Sequence, residues 1–156
     1  MTQAGSKPGR DDPFNLGRFV SAQAPIYSQV LKELKAGQKR THWMWFVFPQ
    51  IDGLGYSSTA RHYAIKSEAE ARRYLDHPVL GPRLVECAET LLGLAGPSAS
   101  DIFGYPDDLK LRSSMTLFAR VSGPGSVFAR VLDKYYGGVA DAQTLGILDQ
   151  LAGDRR

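Results

Sequence analysis

Apolar positions recur along the chain at spacings of three and four, interrupted every ten to fifteen residues or so by proline, glycine and cap residues, a pattern of short amphipathic helices. Asp11 and Asp12 can cap helix N–H groups, Pro13 suits a first helical position, and Phe14, Phe19, Val20 and Gln23 share a face, so a first helix runs to the break at Pro25. Ile26, Tyr27, Val30, Leu31 and Leu34 continue as a second helix, closed by Gly37. The bulky run from Trp43 to Phe48 stops at Pro49 and is too short for periodicity to separate helix from buried strand. Since no other segment offers a partner strand, it predicts a short buried helix.

A glycine-punctuated loop, Ile51 to Ser58, then leads into a helix carrying Ala60, Tyr63 and Ala64, with Ser57 or Ser58 as its cap. Ser67 followed by Glu70 is a capping-box pattern opening a helix that stops at His77-Pro78. Leu80, Leu84, Val85, Ala88, Leu91 and Leu92 form the clearest amphipathic stripe, which marks this helix as the expected centre of packing. Asp101 to Gly104 reads as a turn. Helices follow from Pro106-Asp107-Asp108 to Gly123, from the cap Ser126 to Gly137-Gly138, and from the cap Asp141 to Gly153. The expected architecture is mainly α, a compact single-domain bundle of about seven to nine short helices over residues 11–156, with residues 1–10 as a flexible N-terminal tail.

Composition adds boundaries to this picture. The net charge of +3 is small, and basic residues are interspersed with acidic ones, which argues against nucleic acid as a partner. The N-terminal residues lack the apolar core of a secretory signal and no stretch reaches the roughly 20 apolar residues of a membrane span, so the expected location is cytoplasmic, with no membrane partner. The single cysteine, Cys87, lies on the apolar stripe and reads as packing. His42, His62 and His77 have no short metal-ligand spacing, so neither a metal nor another cofactor is expected.

Candidate chemistry concentrates between Lys39 and Tyr63. Lys39, Arg40 and His42 lead directly into Trp43 and Trp45, a mixture of cations and aromatic faces that suits a planar, negatively charged ligand. Equally, both indoles can fill the core. Gln50 and the hydroxyls of Ser57 and Ser58 sit on a loop feeding a helix, able to present donors to an anion, although there is no Gly-Lys-Ser/Thr and so no P-loop. His62 and Tyr63 offer proton-transfer groups if they face the tryptophans. Farther along, Lys110, Ser113 and Ser114 lie on neighbouring faces of one helix, with Asp107 at its start.

The string Lys39 to Gln50 (KRTHWMWFVFPQ), with GLGYSS at 53–58, YLDHP at 74–78, Ile102-Phe103-Gly104, Asp107-Asp108, Lys110-Leu111 and SSMTLF at 113–118, resembles a bacterial family of unknown function, DUF1810, over nearly everything from Asp12 to Leu151. That resemblance implies a mainly helical domain and no activity. Members are sometimes labelled calpastatin, a label at odds with this composition, because a calpain inhibitor of that kind is a largely disordered chain of low hydrophobicity. The order of features is also similar in layout to the helical NADAR group linked to NAD and ADP-ribose metabolism, with Phe103 where a tryptophan of that group stands.

Two functions follow as expectations. In one, the chain binds or processes a nucleotide- or ADP-ribose-like small molecule, with Trp43, Trp45 and Tyr63 for aromatic contact, Lys39, Arg40 and Lys110 for phosphate, Gln50, Ser57, Ser58, Ser113 and Ser114 as polar contacts, and His42 or Asp107 for proton transfer. In the other, it is a non-catalytic protein-interaction module whose aromatic residues are core or partner anchors.

Overall fold

The computed structural model describes residues 11–154. Ten helices follow in order: α1 Gly17–Gln23, α2 Tyr27–Lys35, α3 Met44–Val47, α4 Ser58–Tyr63, α5 Glu68–Asp76, α6 Leu80–Gly93, α7 Ala99–Phe103, α8 Asp107–Ser122, α9 Val127–Tyr136 and α10 Ala142–Asp154. Among the described residues there is no sheet, and an isolated parallel bridge joins Ile51 and Ile65. The 1–10 tail and the arginines at 155 and 156 lie outside the described residues.

Local signals account for most of the boundaries. Ser57, Ser67 and Ser126 each accept the N–H three residues on, and Asp141 accepts from Thr144 N, as their spacing predicts. Gly37, at φ +71°, closes α2 in the left-handed conformation that the sequence assigns to it. The aromatic run is a single helical turn, α3, terminated before Pro49.

Three expectations change. The first helix begins at Gly17 rather than Pro13, because both Asp12 oxygens accept from backbone N–H groups ahead, Oδ1 from Leu16 N at 2.6 Å and Oδ2 from Gly17 N at 2.9 Å, and hold the segment before Gly17 out of the helix. Residues 101–104 are not a turn but the end of α7, a tenth helix built on a reciprocal cap between Ser98 and Asp101. The centre of packing is α8 as much as α6. Leu111 and every residue from Ser113 to Phe118 are buried, and α8 packs against α5, α7, α9 and α10. A helix covered on several sides has no polar face to betray its position, which is why the stripe on α6 stands out instead.

Packing around α5 and α6 is tight. A Cβ on Gly81 would lie 2.0 Å from the Leu75 carbonyl oxygen, so only glycine lets α6 leave the end of α5 at this distance. His77 caps that start, its Nδ1 accepting from Val79 N at 3.0 Å and Leu80 N at 3.3 Å, which requires the neutral imidazole. Burial holds the His77 pKa below the ordinary histidine value, reinforced by Arg83 and opposed by Asp12. The neutral form is thus favoured on folding, so its stabilisation is complete above the unfolded value of about 6.5 and is lost as pH falls through the folded one. Urea unfolding at pH 7.5 and pH 5 is expected to show His77→Ala less stable by about 1 kcal/mol at the higher pH, with the gap closing at the lower. A gap independent of pH would refute the capping role.

Candidate functional site

The loop after α3 turns back on itself. Gly53 takes φ +111°, and Gly55 lies so close to α4 that a Cβ there would sit 2.7 Å from the Ala60 Cβ. This folding sets Gln50, Tyr56 and Ser57 opposite the first two turns of α8 and the start of α10. Between them is an open cleft of about 580 Å³, within the usual range for small-molecule sites. Its walls carry Trp45 and Gln50 from the α3 side, Ser57 from the cap of α4, Lys110 and Ser113 from α8, and Asp141 from the cap of α10. Leu54, Tyr56, Pro106 and Leu109 supply apolar surface, and Arg112 and Gln143 further donors.

The charges are held in place. Lys110 Nζ lies 5.4 Å from the centre of the Trp45 ring and 3.5 Å from Asp107 Oδ1. Asp107 Oδ2 is 2.8 Å from Lys39 Nζ, whose side chain is only 7% exposed and lies over the Trp43 ring at 5.1 Å. One carboxylate thus bridges two lysines, each set on an indole, and fixes Lys110 at the cleft. Arg112 donates from Nε to Val139 O at 2.9 Å and from Nη2 to Ala140 O at 3.2 Å, and its guanidinium lies 5.9 Å from the Tyr136 ring. Tyr136 donates in turn to Asp108 O at 2.5 Å, and burial pushes its hydroxyl pKa well up. It serves as a neutral platform.

Of the residues singled out from sequence, Trp45, Gln50, Ser57, Lys110 and Ser113 meet in this cleft. The rest do not line it. Trp43 is buried, with its Nε1 donating to Glu33 at 2.9 Å. Lys39 and Asp107 stand behind Lys110 as its ion-pair support. Arg40 is exposed and bonded to Gln38, and His42 and Ser58 are exposed. Tyr63 packs against Phe19, Phe46 and His62. Ser114 is fully buried in α8 with no partner for its Oγ among the described residues.

Arg112 and Asp141 complete the cleft and are not among the residues that the sequence singles out. Asp141 stands out in sequence only as a helix cap, and Arg112 only as one of several charges on α8. Cys87 is buried elsewhere, and burial pushes its thiol up to about 12, which removes it as a nucleophile. A second hollow, of about 440 Å³ beside Arg18, is lined by a guanidinium whose donors are all engaged by Phe14, Asn15, His62, Ala64 and Glu70. Among the described residues no group of three or more His, Cys, Asp or Glu side chains can hold a metal ion, and no helix is long and apolar enough to cross a membrane.

Fold and cleft together define an all-α protein with a mixed aromatic and cationic depression between α3, α4, α8 and α10. The chain belongs to the family described as a protein of unknown function (DUF1810), whose model matches residues 13–148. It is similar to a conserved hypothetical protein, Rv1873, from Mycobacterium tuberculosis, with 56% identity and a TM-score of 0.87 over 88% of this chain and 99% of that one. No curated protein matches it.

Proposed function

We propose that the cleft binds a small ligand with a planar ring and an anionic group, of the nucleotide or ADP-ribose class. The observation that carries this reading is the partly open Trp45 placed beside Lys110 and Arg112 in one concave site. Stacking on an aromatic ring contributes about 1–3 kcal/mol per base, and a fixed ammonium or guanidinium adds charge-assisted hydrogen bonds to phosphate. Binding is what these groups support. His42 and Asp107 lie outside the cleft, so proton transfer by either has no geometry behind it.

The test uses the two tryptophans. Trp43 is sequestered by Glu33, so quenching by a ligand reports Trp45. Titration with ADP-ribose, ADP, AMP and inorganic phosphate is expected to quench fluorescence and raise Tm. Lys110→Ala should weaken binding of the phosphorylated probes about tenfold or more, the loss of one charge-assisted contact. Folded protein that responds to none of the four ends the proposal.

A second reading has its own support. Among the described residues the four exposed large hydrophobic side chains, Tyr56, Tyr105, Leu109 and Val139, lie at or beside this same cleft: two line it, Tyr105 adjoins Pro106, and the Val139 carbonyl holds Arg112. Such a rim suits a protein partner. Failure of every small probe would leave that interaction role in possession of the site.

A further inference from the structure

Asp141 is a carboxylate placed among cations and paired with neither. Its Oδ2 accepts from Thr144 Oγ1 at 2.6 Å and Thr144 N at 3.0 Å, and Ser113 Oγ lies 3.3 Å away with its one proton shared between this oxygen and Leu109 O at 3.2 Å. Among the described residues no donor reaches its Oδ1, and neither Lys110 nor Arg112 forms an ion pair with it. The carbonyls of Val139 and Ala140, just before Asp141 in the chain, occupy Nε and Nη2 of Arg112. The backbone N–H of Asp141 is bound as well, to Thr116 Oγ1 at 2.9 Å. One oxygen of this carboxylate is thus engaged and the other has no donor among the described residues, on a side chain that lines the cleft.

An ionised carboxylate only accepts hydrogen bonds, so its complement on a ligand is a donor. We infer that Asp141 is the specificity residue of the cleft and selects ligands bearing a vicinal diol, the 2′,3′-hydroxyls of a ribonucleotide. The inference rests on the nucleotide reading above. With a ring at Trp45 and phosphate at Lys110, the sugar is the hydroxyl-bearing part of the ligand left for Asp141, which lines the same cleft, and a carboxylate accepting from ribose hydroxyls is a recurrent device in nucleotide sites. A site built to bond a hydroxyl rejects the analogue that lacks it, since its own acceptor is then left unpaired.

The experiment compares AMP, 2′-deoxy-AMP and IMP by Trp45 fluorescence, on the wild type and on Asp141→Asn. The wild type should bind AMP at least tenfold more tightly than 2′-deoxy-AMP, and IMP comparably to AMP. Asparagine retains an acceptor for Thr144 N and is itself a good cap, so the variant should keep its Tm within a few degrees while the ratio between AMP and 2′-deoxy-AMP falls toward one. Equal affinities for AMP and 2′-deoxy-AMP in the wild type would overturn the diol assignment while leaving nucleotide binding intact. A penalty on IMP without one on 2′-deoxy-AMP would also overturn it, because the donor would then be the exocyclic amine. Absence of binding by all three would overturn the diol assignment, and the nucleotide reading falls with it only if ADP-ribose, ADP and phosphate fail as well.

Discussion

Arg18→Ala is expected to lower the unfolding free energy by about 3–5 kcal/mol, the range for breaking a buried pair by removing one partner. Arg18 and Glu70 have side chains only 8% and 2% exposed, and their closest atoms are 2.7 Å apart. The guanidinium also donates to Phe14 O and Asn15 O at its own end, and to His62 O and Ala64 O across the fold, while Glu70 Oε1 accepts from Lys66 N. One side chain thus fastens the turns before α1 to the end of α4 and the start of α5. Its removal leaves a buried carboxylate and several carbonyls unpaired. Lysine cannot rescue the site, because an ammonium lacks the planar fork that reaches five acceptors at once. Urea unfolding followed by circular dichroism measures the effect. A loss below about 1 kcal/mol would place this pair with ordinary surface ion pairs.

This knot illustrates what sequence can and cannot reveal. The Ser67–Glu70 spacing correctly marks the start of α5, and Ser67 Oγ does accept from Glu70 N. The reciprocal half differs: the Glu70 carboxylate turns to Lys66 N and Arg18 instead of Ser67 N, and Arg18 is a partner 52 residues away that no local pattern encodes. Caps and glycine stops are written in four or five neighbouring residues, so the helix series is legible. The five-residue α7 is too short to show a period, and α8 has a pattern blurred by burial on several sides.

The cleft follows the same logic. Trp43 and Trp45 are indistinguishable in sequence, two residues apart in one aromatic run. Trp43 is the non-helical cap of α3 and Trp45 lies within its single turn, so the two point in different directions, one indole buried against Glu33 and the other reaching the cleft. Which goes where depends on α2 and α8, elements far away in the chain. Capping explains Asp141 so readily that a second role is invisible in the sequence. The cap engages one carboxylate oxygen, and only the assembled fold shows that the residue also borders a cleft.

Glu33 sets that division between the indoles, and its removal should be the other large loss. Its carboxylate is buried yet accepts five hydrogen bonds, from Arg40 N, Thr41 N and Trp43 Nε1 on Oε1 and from Gln29 Nε2 and Thr41 Oγ1 on Oε2. Burial pushes its pKa up, but the hydrogen bonds from Arg40, Gln29, Thr41 and Trp43 outweigh that and hold it down at about 2. Against an unfolded value of about 4.3, this corresponds to about 3 kcal/mol of stability at neutral pH. The folded value is the lower one, so the contribution is complete above the unfolded pKa and drains away as pH falls toward 2. Glu33→Gln keeps the shape, but its amide nitrogen faces donors where an acceptor is required. It should be less stable than the wild type by about 3 kcal/mol at pH 7, with the difference shrinking between about pH 5 and pH 2. A difference that stayed constant across that interval would assign the loss to shape and not to charge. Because Glu33 anchors residues 40–43, and Lys39 beside them holds Asp107 against Lys110, the same variant should also loosen Lys110 at the cleft and weaken phosphate binding without touching any group that lines it.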